Sequence, residues 1–324
     1  MARVAYIEAH GGPEVIQWRD VDLPAPGPGE VRIRQSAVGL NFLDVYHRRG
    51  IYPIDLPGGL GMESAGTVTA LGEGVTALSV GDRVATFGPV RSAYADERNV
   101  PAAALFKLPG DIPDDVAAAA LLKGCTAEFL IERCTRVQPG WTVLVHAAAG
   151  GVGLILVQWL KAIGAIVIGT VSTEDKAAAA KAAGTDHIIF YKTEDITARV
   201  RDITGGKGVP VVFDGIGMAT WEASLAATAR RGMIVSYGNV GAPVTGVGLS
   251  TLAAKGSLFV SRPTLFDYYV EAEERAAGVD RLWSMIRSGQ VTIEIGQRYA
   301  LEEAAQAHRD LEAGRTTGST VLIP

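Results

Sequence analysis

The chain has 324 residues, of which 48% are hydrophobic and 20% charged, a balance typical of a globular protein large enough for two domains. The formal net charge is −5, without a long basic run, which argues against a dedicated nucleic-acid-binding protein. The two cysteines, Cys125 and Cys134, are too few for a four-thiolate zinc site and do not indicate a secreted disulfide scaffold. We therefore expect a protein of the reducing cytoplasm.

The first 120 residues are predicted to be mainly β-structure. Residues 30–38 and 64–72 alternate between apolar and polar side chains, and a proline- and glycine-rich loop is expected at 24–29. Residues 1–8 also alternate and lack the apolar core of a signal peptide.

From about Asp114 the pattern changes to alternating strands and helices. A helix is predicted at 115–122 and strands near 141–146, 165–171, 187–191, 210–214 and 231–237, followed by helices at 268–288 and 301–313 and a final strand at 318–323. This order predicts an α/β fold with a doubly wound parallel sheet. Polar residues and glycines interrupt the longest apolar region, 141–171, so we expect no membrane span.

The segment 141–153 predicts a dinucleotide-binding turn. A β-branched apolar run leads into Ala148-x-Gly150-x-x-Gly153, and an apolar helix follows. This strand, glycine turn and helix match the start of a Rossmann unit, with alanine in place of the first glycine. The alternative is a tight turn that binds nothing.

The next strand tip favours NADPH over NADH. An NAD site has an acidic residue there, about 20 residues after the glycines, to hold the ribose 2′-hydroxyl. Here the tip carries Ser172, Thr173 and Lys176, which suit a 2′-phosphate. Ser172 and Asp175 alternatively form an N-cap and capping box for a helix at 176–183, and the two roles are compatible.

The whole chain resembles the quinone oxidoreductase (ζ-crystallin-like) family of the medium-chain dehydrogenase/reductase superfamily, and bacterial NADPH:quinone reductases in particular. The motifs that carry this resemblance lie at 10–15, 39–46, 61–66, 81–84, 123–127, 146–153 and 314–318. The resemblance implies a chaperonin-10-like β-rich catalytic domain (1–124 and 262–324) plus a doubly wound Rossmann domain (125–261). It also implies a homodimer formed through the Rossmann sheet edge, for which 256–261 is the candidate strand.

The resemblance further implies a reductase without metal. Zinc-dependent relatives carry Cys and His where this chain has Asn41 and Met62, so no catalytic zinc is expected. Without a Lewis acid, hydride delivery from NADPH to quinones or α,β-unsaturated carbonyls is the favoured chemistry.

The same resemblance implies the site residues. The expected catalytic residues are Asn41, Tyr46, Tyr52 and Thr126. The expected cofactor contacts are Asn41, Phe42, Asp44, Tyr46, Thr126, Gly151, Val152, Ser172, Thr173, Lys176, Tyr191, Ile216, Gly238, Asn239 and Arg315.

Simpler roles remain open for several of these residues. Asn41, expected to donate a hydrogen bond to the substrate or ribose, is alternatively a turn residue, and Asp44 a local hydrogen-bonding residue. Tyr46, Tyr52 and Tyr191 alternatively only pack, and Thr126 alternatively caps a helix. Arg48 and Arg49 are alternatively solvated surface residues. In related chains the terminal arginine often falls at the position of Gly314, so the register of Arg315 is open.

Two other functions share parts of this pattern. An enoyl thioester reductase uses the same fold and cofactor. A non-enzymatic NADPH-binding crystallin or RNA-associated protein also fits, although no basic patch supports it.

Overall fold

A computed structural model describes residues 1–88 and 90–324. The strands are β1 (Ala2–Ile7), β2 (Gln17–Val21), β3 (Glu30–Leu40), β4 (Gly58–Gly59), β5 (Glu63–Leu71), β6 (Arg83–Phe87), β7 (Glu97–Pro101), β8 (Phe106–Lys107), β9 (Thr142–Val145), β10 (Ile166–Val171), β11 (His187–Phe190), β12 (Val209–Asp214), β13 (Thr228–Ser236), β14 (Phe259–Ser261), β15 (Ile295–Ala300) and β16 (Ser319–Ile323). The α-helices are α1 (Phe42–Arg49), α2 (Asp114–Glu128), α3 (Gly151–Ile163), α4 (Glu174–Ala182), α5 (Ile196–Ile203), α6 (Trp221–Ala227), α7 (Leu249–Ala254), α8 (Leu265–Tyr268), α9 (Ala272–Arg287) and α10 (Ala304–Glu312). Short 3₁₀ turns lie at Pro13–Val15, Ala102–Ala104 and Leu301–Glu303, and a π-helical turn at Phe129–Thr135 extends α2.

The chain forms two compact units. One unit comprises Met1–Leu122 and Ile295–Pro324 and is named the catalytic unit after its expected role. The other, the Rossmann unit, comprises Lys123–Glu294. No helix in the described ranges has the length and apolar character needed to cross a membrane.

The catalytic unit is built mainly on antiparallel β-structure, with one parallel pair between β15 and β16. One sheet has the order β15-β16-β3-β5-β6-β8 with β7 also paired to β3, and a smaller sheet has the order β2-β1-β4. The terminal strand β16 pairs with β3 over Thr320–Leu322. Apolar side chains including Val38, Leu40 and Leu322 form its core.

The Rossmann unit contains a six-stranded parallel sheet of order β11-β10-β9-β12-β13-β14. All five predicted strands of this sheet are present, each within three residues of its predicted bounds. The chain order reverses between β9 and β12, and ligands of such sheets bind beside the carboxyl ends of the strands at that point.

The expected second domain break, at 261/262, is wrong: residues 262–294 pack within the Rossmann unit. Tyr269 Oη donates to Glu128 Oε2 at 2.6 Å, and Arg281 pairs with Glu132 at 2.8 Å. Leu282 packs so closely on Gly124 that any β-carbon there would clash with it. These long-range contacts have no local sequence signal, which is why the break was misplaced.

Candidate active site

Helix α1 carries four of the expected site residues of the catalytic unit. Asn41 is its N-cap, with extended backbone. Asp44, one turn later, accepts the backbone N–H of Asn41 at 2.9 Å and the Tyr94 hydroxyl at 3.2 Å, both at Oδ2. Asp44 is fully buried. These contacts favour the local hydrogen-bonding role for Asp44 and place Asn41 at a helix start.

The side chain of Asn41 is oriented by the protein itself. Its Nδ2 donates to Glu63 Oε2 at 2.9 Å and, more weakly, to the Gly39 carbonyl at 3.4 Å. Both amide hydrogens are directed at protein acceptors, an arrangement that does not favour the expected donation from Asn41 to a ligand. Its Oδ1 is the atom that can serve a ligand, as an acceptor.

Glu63 is a site residue that the sequence reasoning missed. It is completely buried, and its second oxygen, Oε1, accepts the N–H of Leu122 at 2.6 Å. A β-carbon at Gly39 would clash with Glu63 and with the carbonyl of Ala118. The position of Glu63 in the 61–66 motif was the one sequence feature that could have indicated its importance. Its carboxylate orients the Asn41 side chain through a hydrogen bond.

Three expected site residues with aromatic side chains pack together along α1 and just after it. The rings of Tyr46 and Tyr52 are 5.2 Å apart at 70°, and Phe42 lies 6.2 Å from Tyr46. His47 packs edge-on against Tyr52 at 6.4 Å. Burial, together with the charge of Arg91, lowers the pKa of His47 to about 4, so His47 is neutral at pH 7.

Arg48 does not lie in solvent, so the alternative of a solvated surface residue is wrong for it. Its side chain is buried and donates to the Gly11 carbonyl at 3.1 Å, to His308 Nδ1 at 2.9 Å and to Glu312 Oε2 at 2.7 Å. The guanidinium needs this full set of acceptors because it is removed from water.

In the Rossmann unit, the predicted glycine turn lies between β9 and α3. Ala147 takes a left-handed φ of 53°, and Gly150 is the N-cap of α3. At Gly153 a β-carbon would clash with the Ala147 carbonyl oxygen. The turn therefore holds the first N–H groups of α3, including those of Gly151 and Val152, where intrahelical acceptors do not exist. Such a helix start is suited to a pyrophosphate.

A buried polar network supports this turn from below. His146 bonds Thr170 Oγ1 at 3.1 Å and Ser224 Oγ at 3.0 Å, and Ser224 donates to Asp214 at 2.7 Å. Burial lowers the pKa of His146, against an opposing effect of the Asp214 charge. Thr170 also accepts the N–H of Ala147 at 3.3 Å, so the network fixes the start of the turn.

The tip of β10 brings together the residues expected to select NADPH. Thr173, and not Ser172, is the N-cap of α4, accepting the N–H of Lys176 at 3.4 Å. Tyr191 follows the paired strand β11, donates its N–H to the Val171 carbonyl at 3.2 Å and is 47% exposed. The core-packing alternative for Tyr191 is therefore wrong.

A second lysine at this tip was missed by the sequence reasoning. Burial and the charge of Lys192 both lower the pKa of Lys176. Lys192 directly follows Tyr191, which was the available signal. Two lysine ammonium groups lie beside the C-terminal end of β10, and β10 itself carries no acidic residue. This arrangement suits the doubly charged 2′-phosphate of NADPH.

The ends of β12 and β13 carry the remaining expected contacts of this unit. Asp214 Oδ1 accepts the N–H of Ile216 at 2.9 Å. A β-carbon at Gly238 would clash with the Gly215 carbonyl. Asn239, with its amide in the orientation that satisfies its neighbours, accepts from Arg262 Nη2 at 3.0 Å. Because all strands of this sheet are parallel, these residues and the glycine turn all lie at the carboxyl ends of the strands.

Thr126 lies inside α2, so the alternative of an N-cap is wrong. Among residues 121–131, all of them described, Thr126 is the one that is partly exposed and not buried. Arg315 belongs to the catalytic unit and donates Nε to Asp310 Oδ1 at 2.9 Å. Its expected contact with NADPH stays a prediction.

Within the described ranges, no group of three or more His, Cys, Asp or Glu side chains is arranged to hold a metal ion.

Comparison with known proteins identifies both units. Residues 27–133 match the alcohol dehydrogenase GroES-like domain, and residues 151–276 match the zinc-binding dehydrogenase family. A quinone oxidoreductase of Pseudomonas aeruginosa is 49% identical over 100% of both chains. A 2-haloacrylate reductase of a Burkholderia species is 44% identical over 100% of this chain and 99% of its own length.

The fold also matches a solved structure throughout. The crystal structure of Escherichia coli quinone oxidoreductase complexed with NADPH superposes with a TM-score of 0.97, at 43% identity over 99% of this chain and 100% of that chain. Since identity and fold agree over the whole length, the chain belongs to the quinone oxidoreductase family of the medium-chain dehydrogenase/reductase superfamily.

Proposed function

We propose that this protein is an NADPH-dependent reductase of quinones and related α,β-unsaturated carbonyl compounds. The observation that carries the proposal is the tip of β10, where Lys176 and Lys192 lie together and no acidic residue ends the strand. Two lysines at the tip suit the 2′-phosphate of NADPH, and family membership supplies the reductase chemistry.

The Rossmann unit offers a group for each part of the cofactor. The N–H groups of Gly151 and Val152 would meet the pyrophosphate. Ser172, Thr173, Lys176 and Tyr191 would hold the phosphorylated ribose. Ile216, Gly238 and Asn239 would contact the cofactor beyond the strand reversal point.

In the catalytic unit the protein would orient the acceptor and supply hydrogen bonds. When bound, NADPH supplies the hydride. Tyr46 and Tyr52 would donate hydroxyl hydrogens to the acceptor oxygen, beside the ring of Phe42. Asn41 would accept a hydrogen bond through Oδ1. Thr126, which belongs to the Rossmann unit, would bond the nicotinamide carboxamide. None of these groups has to ionise for hydride transfer.

Steady-state oxidation of NADPH by purified protein tests the proposal, with 1,4-benzoquinone and a crotonyl thioester as acceptors. We expect turnover with benzoquinone, and with NADPH in strong preference to NADH. Preference for the thioester would favour the enoyl reductase alternative. Salt-dependent RNA retention without turnover would favour the non-enzymatic alternative.

The similarity to a 2-haloacrylate reductase favours a second acceptor class. We propose that unsaturated acids are also reduced, since a polarised double bond accepts hydride as a quinone does. Turnover of 2-chloroacrylate at a rate comparable with benzoquinone would support this class. Its complete absence would restrict the enzyme to quinones and neutral enones.

We further propose a homodimer formed through β14. This strand ends the sheet order, and Phe259 and Val260 are 59% and 40% exposed, as expected of an edge that pairs with another copy. Light scattering after size exclusion should give a dimer, and Phe259→Glu a monomer. Val80→Glu, a change at a 62% exposed apolar residue of the other unit, is the matched control.

A cytoplasmic location is also part of the proposal. Cys125 and Cys134 form no disulfide with each other, which fits a reducing compartment. Recovery of the protein in the periplasmic fraction of its host would contradict this assignment.

A further inference from the structure

A closed ring of buried hydrogen bonds joins α1 to α10 within the catalytic unit. Tyr94 Oη donates to Asp44 Oδ2 at 3.2 Å, and His308 Nε2 lies 2.8 Å from the Tyr94 oxygen. Arg48 Nη1 lies 2.9 Å from His308 Nδ1. Asp44 and Arg48 are one turn apart on α1, so the four side chains form a ring whose last side is the helix itself.

The chemistry of the ring fixes the direction of each bond. A guanidinium can only donate, so His308 accepts at Nδ1 and carries its proton on Nε2. Nε2–H then donates to the Tyr94 oxygen, and the Tyr94 hydroxyl donates to Asp44. Burial and the Asp44 charge raise the pKa of Tyr94 well above its usual value, which keeps that hydroxyl protonated.

The ring is inaccessible to solvent. Asp44, Arg48, Tyr94 and His308 are each fully buried. Glu312, one turn after His308 on α10, binds the other end of the guanidinium at 2.7 Å and is 25% exposed. An ionised pair and a neutral relay between them are costly to bury unless every partner is present, so the arrangement is rigid.

The ring binds the face of α1 that carries Asp44 and Arg48. The opposite face carries Phe42 and Tyr46, which are proposed to contact the substrate. Residues two positions apart lie about 200° around a helix. Asp44 and Arg48 therefore point one way, and Phe42 and Tyr46 point the other way. Asp44 also fixes the start of the helix through the N–H of Asn41. Rotation of α1 would move Tyr46 and break the ring.

We propose that Tyr94, His308 and Arg48 are positioning residues, which set the rotation of α1 and thereby aim Tyr46 and Asn41 at the reacting groups. This inference rests on the proposed reductase function. None of the three touches the acceptor; they act through the helix.

Tyr94→Phe tests the proposal. It removes the hydroxyl oxygen that takes part in two hydrogen bonds of the ring, and it keeps the aromatic side chain in place. We expect kcat with benzoquinone to fall about tenfold or more, the effect of a lost hydrogen bond to a charged group, while the Kd for NADPH stays unchanged. The matched control is Thr86→Val, which removes another buried hydroxyl of this unit, bonded to the Ala104 carbonyl at 2.7 Å. We expect wild-type kcat from it.

His308 provides the rescue experiment. His308→Gln retains an acceptor for Arg48 and a donor for Tyr94 and should keep most of kcat, whereas His308→Leu should lose it as Tyr94→Phe does. Equal losses in the Gln and Leu variants, or equal losses in Tyr94→Phe and Thr86→Val, would overturn the positioning role.

Amide hydrogen exchange separates this proposal from the proposed function. Exchange over 41–50 should accelerate in Tyr94→Phe and stay at the wild-type rate in Thr86→Val. An unchanged exchange rate over 41–50 in Tyr94→Phe would contradict the claim that the ring stabilises α1. Accelerated exchange in a protein whose wild type turns over no quinone would support that claim and contradict the reductase function.

Discussion

Glu63 accepts a hydrogen bond from the side-chain amide of Asn41 at 2.9 Å, and both residues are at least 95% buried. The other carboxylate oxygen holds the N–H of Leu122, in the middle of α2. One carboxylate thus ties the helix start at Asn41 to a second helix through charge-assisted bonds, which are stronger than neutral ones.

Glu63→Gln should destabilise the protein by about 1–3 kcal/mol, because the new amide NH₂ faces a buried donor and leaves it unsatisfied. The thermal melting temperature measures this change. Glu97→Gln is the control: its pair with Arg34, whose side chain is 71% exposed, should contribute about 1 kcal/mol or less. Equal melting temperatures for the two variants would show that the Glu63 bonds do not form in solution.

Lys176→Ala should weaken NADPH binding about tenfold or more, since a charge-assisted contact to phosphate contributes roughly 1.5–3 kcal/mol. NADH binding should be largely spared, and Lys192→Ala should act in the same direction. Fluorescence titration of both cofactors measures this. Lys181→Ala, on the exposed end of the same helix, should change neither Kd, and equal weakening of both cofactors would refute the phosphate role.

Gly153→Ala should disrupt cofactor binding, whereas Gly150→Ala should be tolerated. A β-carbon at Gly153 would clash with the Ala147 carbonyl, so the turn or α3 must shift; at Gly150 the same carbonyl lies 3.3 Å away. The φ of Gly150 is −78°, which any residue adopts. NADPH titration of the two variants gives the comparison, and similar Kd values would contradict the turn geometry.

The free energy of unfolding should fall as the pH falls from 6.5 toward 3. Burial and the Arg48 charge lower the pKa of His308 from 6.5 to about 3, so the unfolded chain binds more protons in that window. One such group contributes up to about 1.4 kcal/mol per pH unit. In urea unfolding, the free energy of unfolding of His308→Gln should change less with pH than that of wild type. The same pH dependence in both proteins would show that a group other than His308 takes up the proton.

Tyr52→Phe should lower kcat for benzoquinone on the order of tenfold, the effect of one lost neutral hydrogen bond. Its ring packing on Tyr46 and His47 is kept, so stability should change little. Stopped-flow measurement of NADPH oxidation checks the rate. A loss of more than about a thousandfold would show that Tyr52 acts as a catalytic acid.

Local signals in the sequence predicted the Rossmann unit well. The apolar run before the glycines became β9, and the spacing of Gly150 and Gly153 matches the observed turn. These features depend on neighbouring residues, because strand and helix periods and positive-φ turns act over a few positions. The same holds for β16 and for α10.

Long-range contacts account for what the sequence did not reveal. Arg48 lies in a run that looks exposed, and its burial depends on His308 and Glu312, which lie far along the chain. The sequence does not show that Glu63, 22 residues further along the chain, accepts the hydrogen bond of the Asn41 amide. The amide was therefore expected to donate to a ligand. Each partner is brought close by strand pairing that no local pattern specifies.

The position of β16 has a consequence for synthesis of the chain. Ser319–Ile323 pairs with β3 and β15, and His308 completes a ring with residues made much earlier. These residues leave the ribosome after all of the Rossmann unit. We therefore expect the inserted unit to fold first during translation, while β3 keeps an unpaired edge until Ser319–Ile323 has been synthesised.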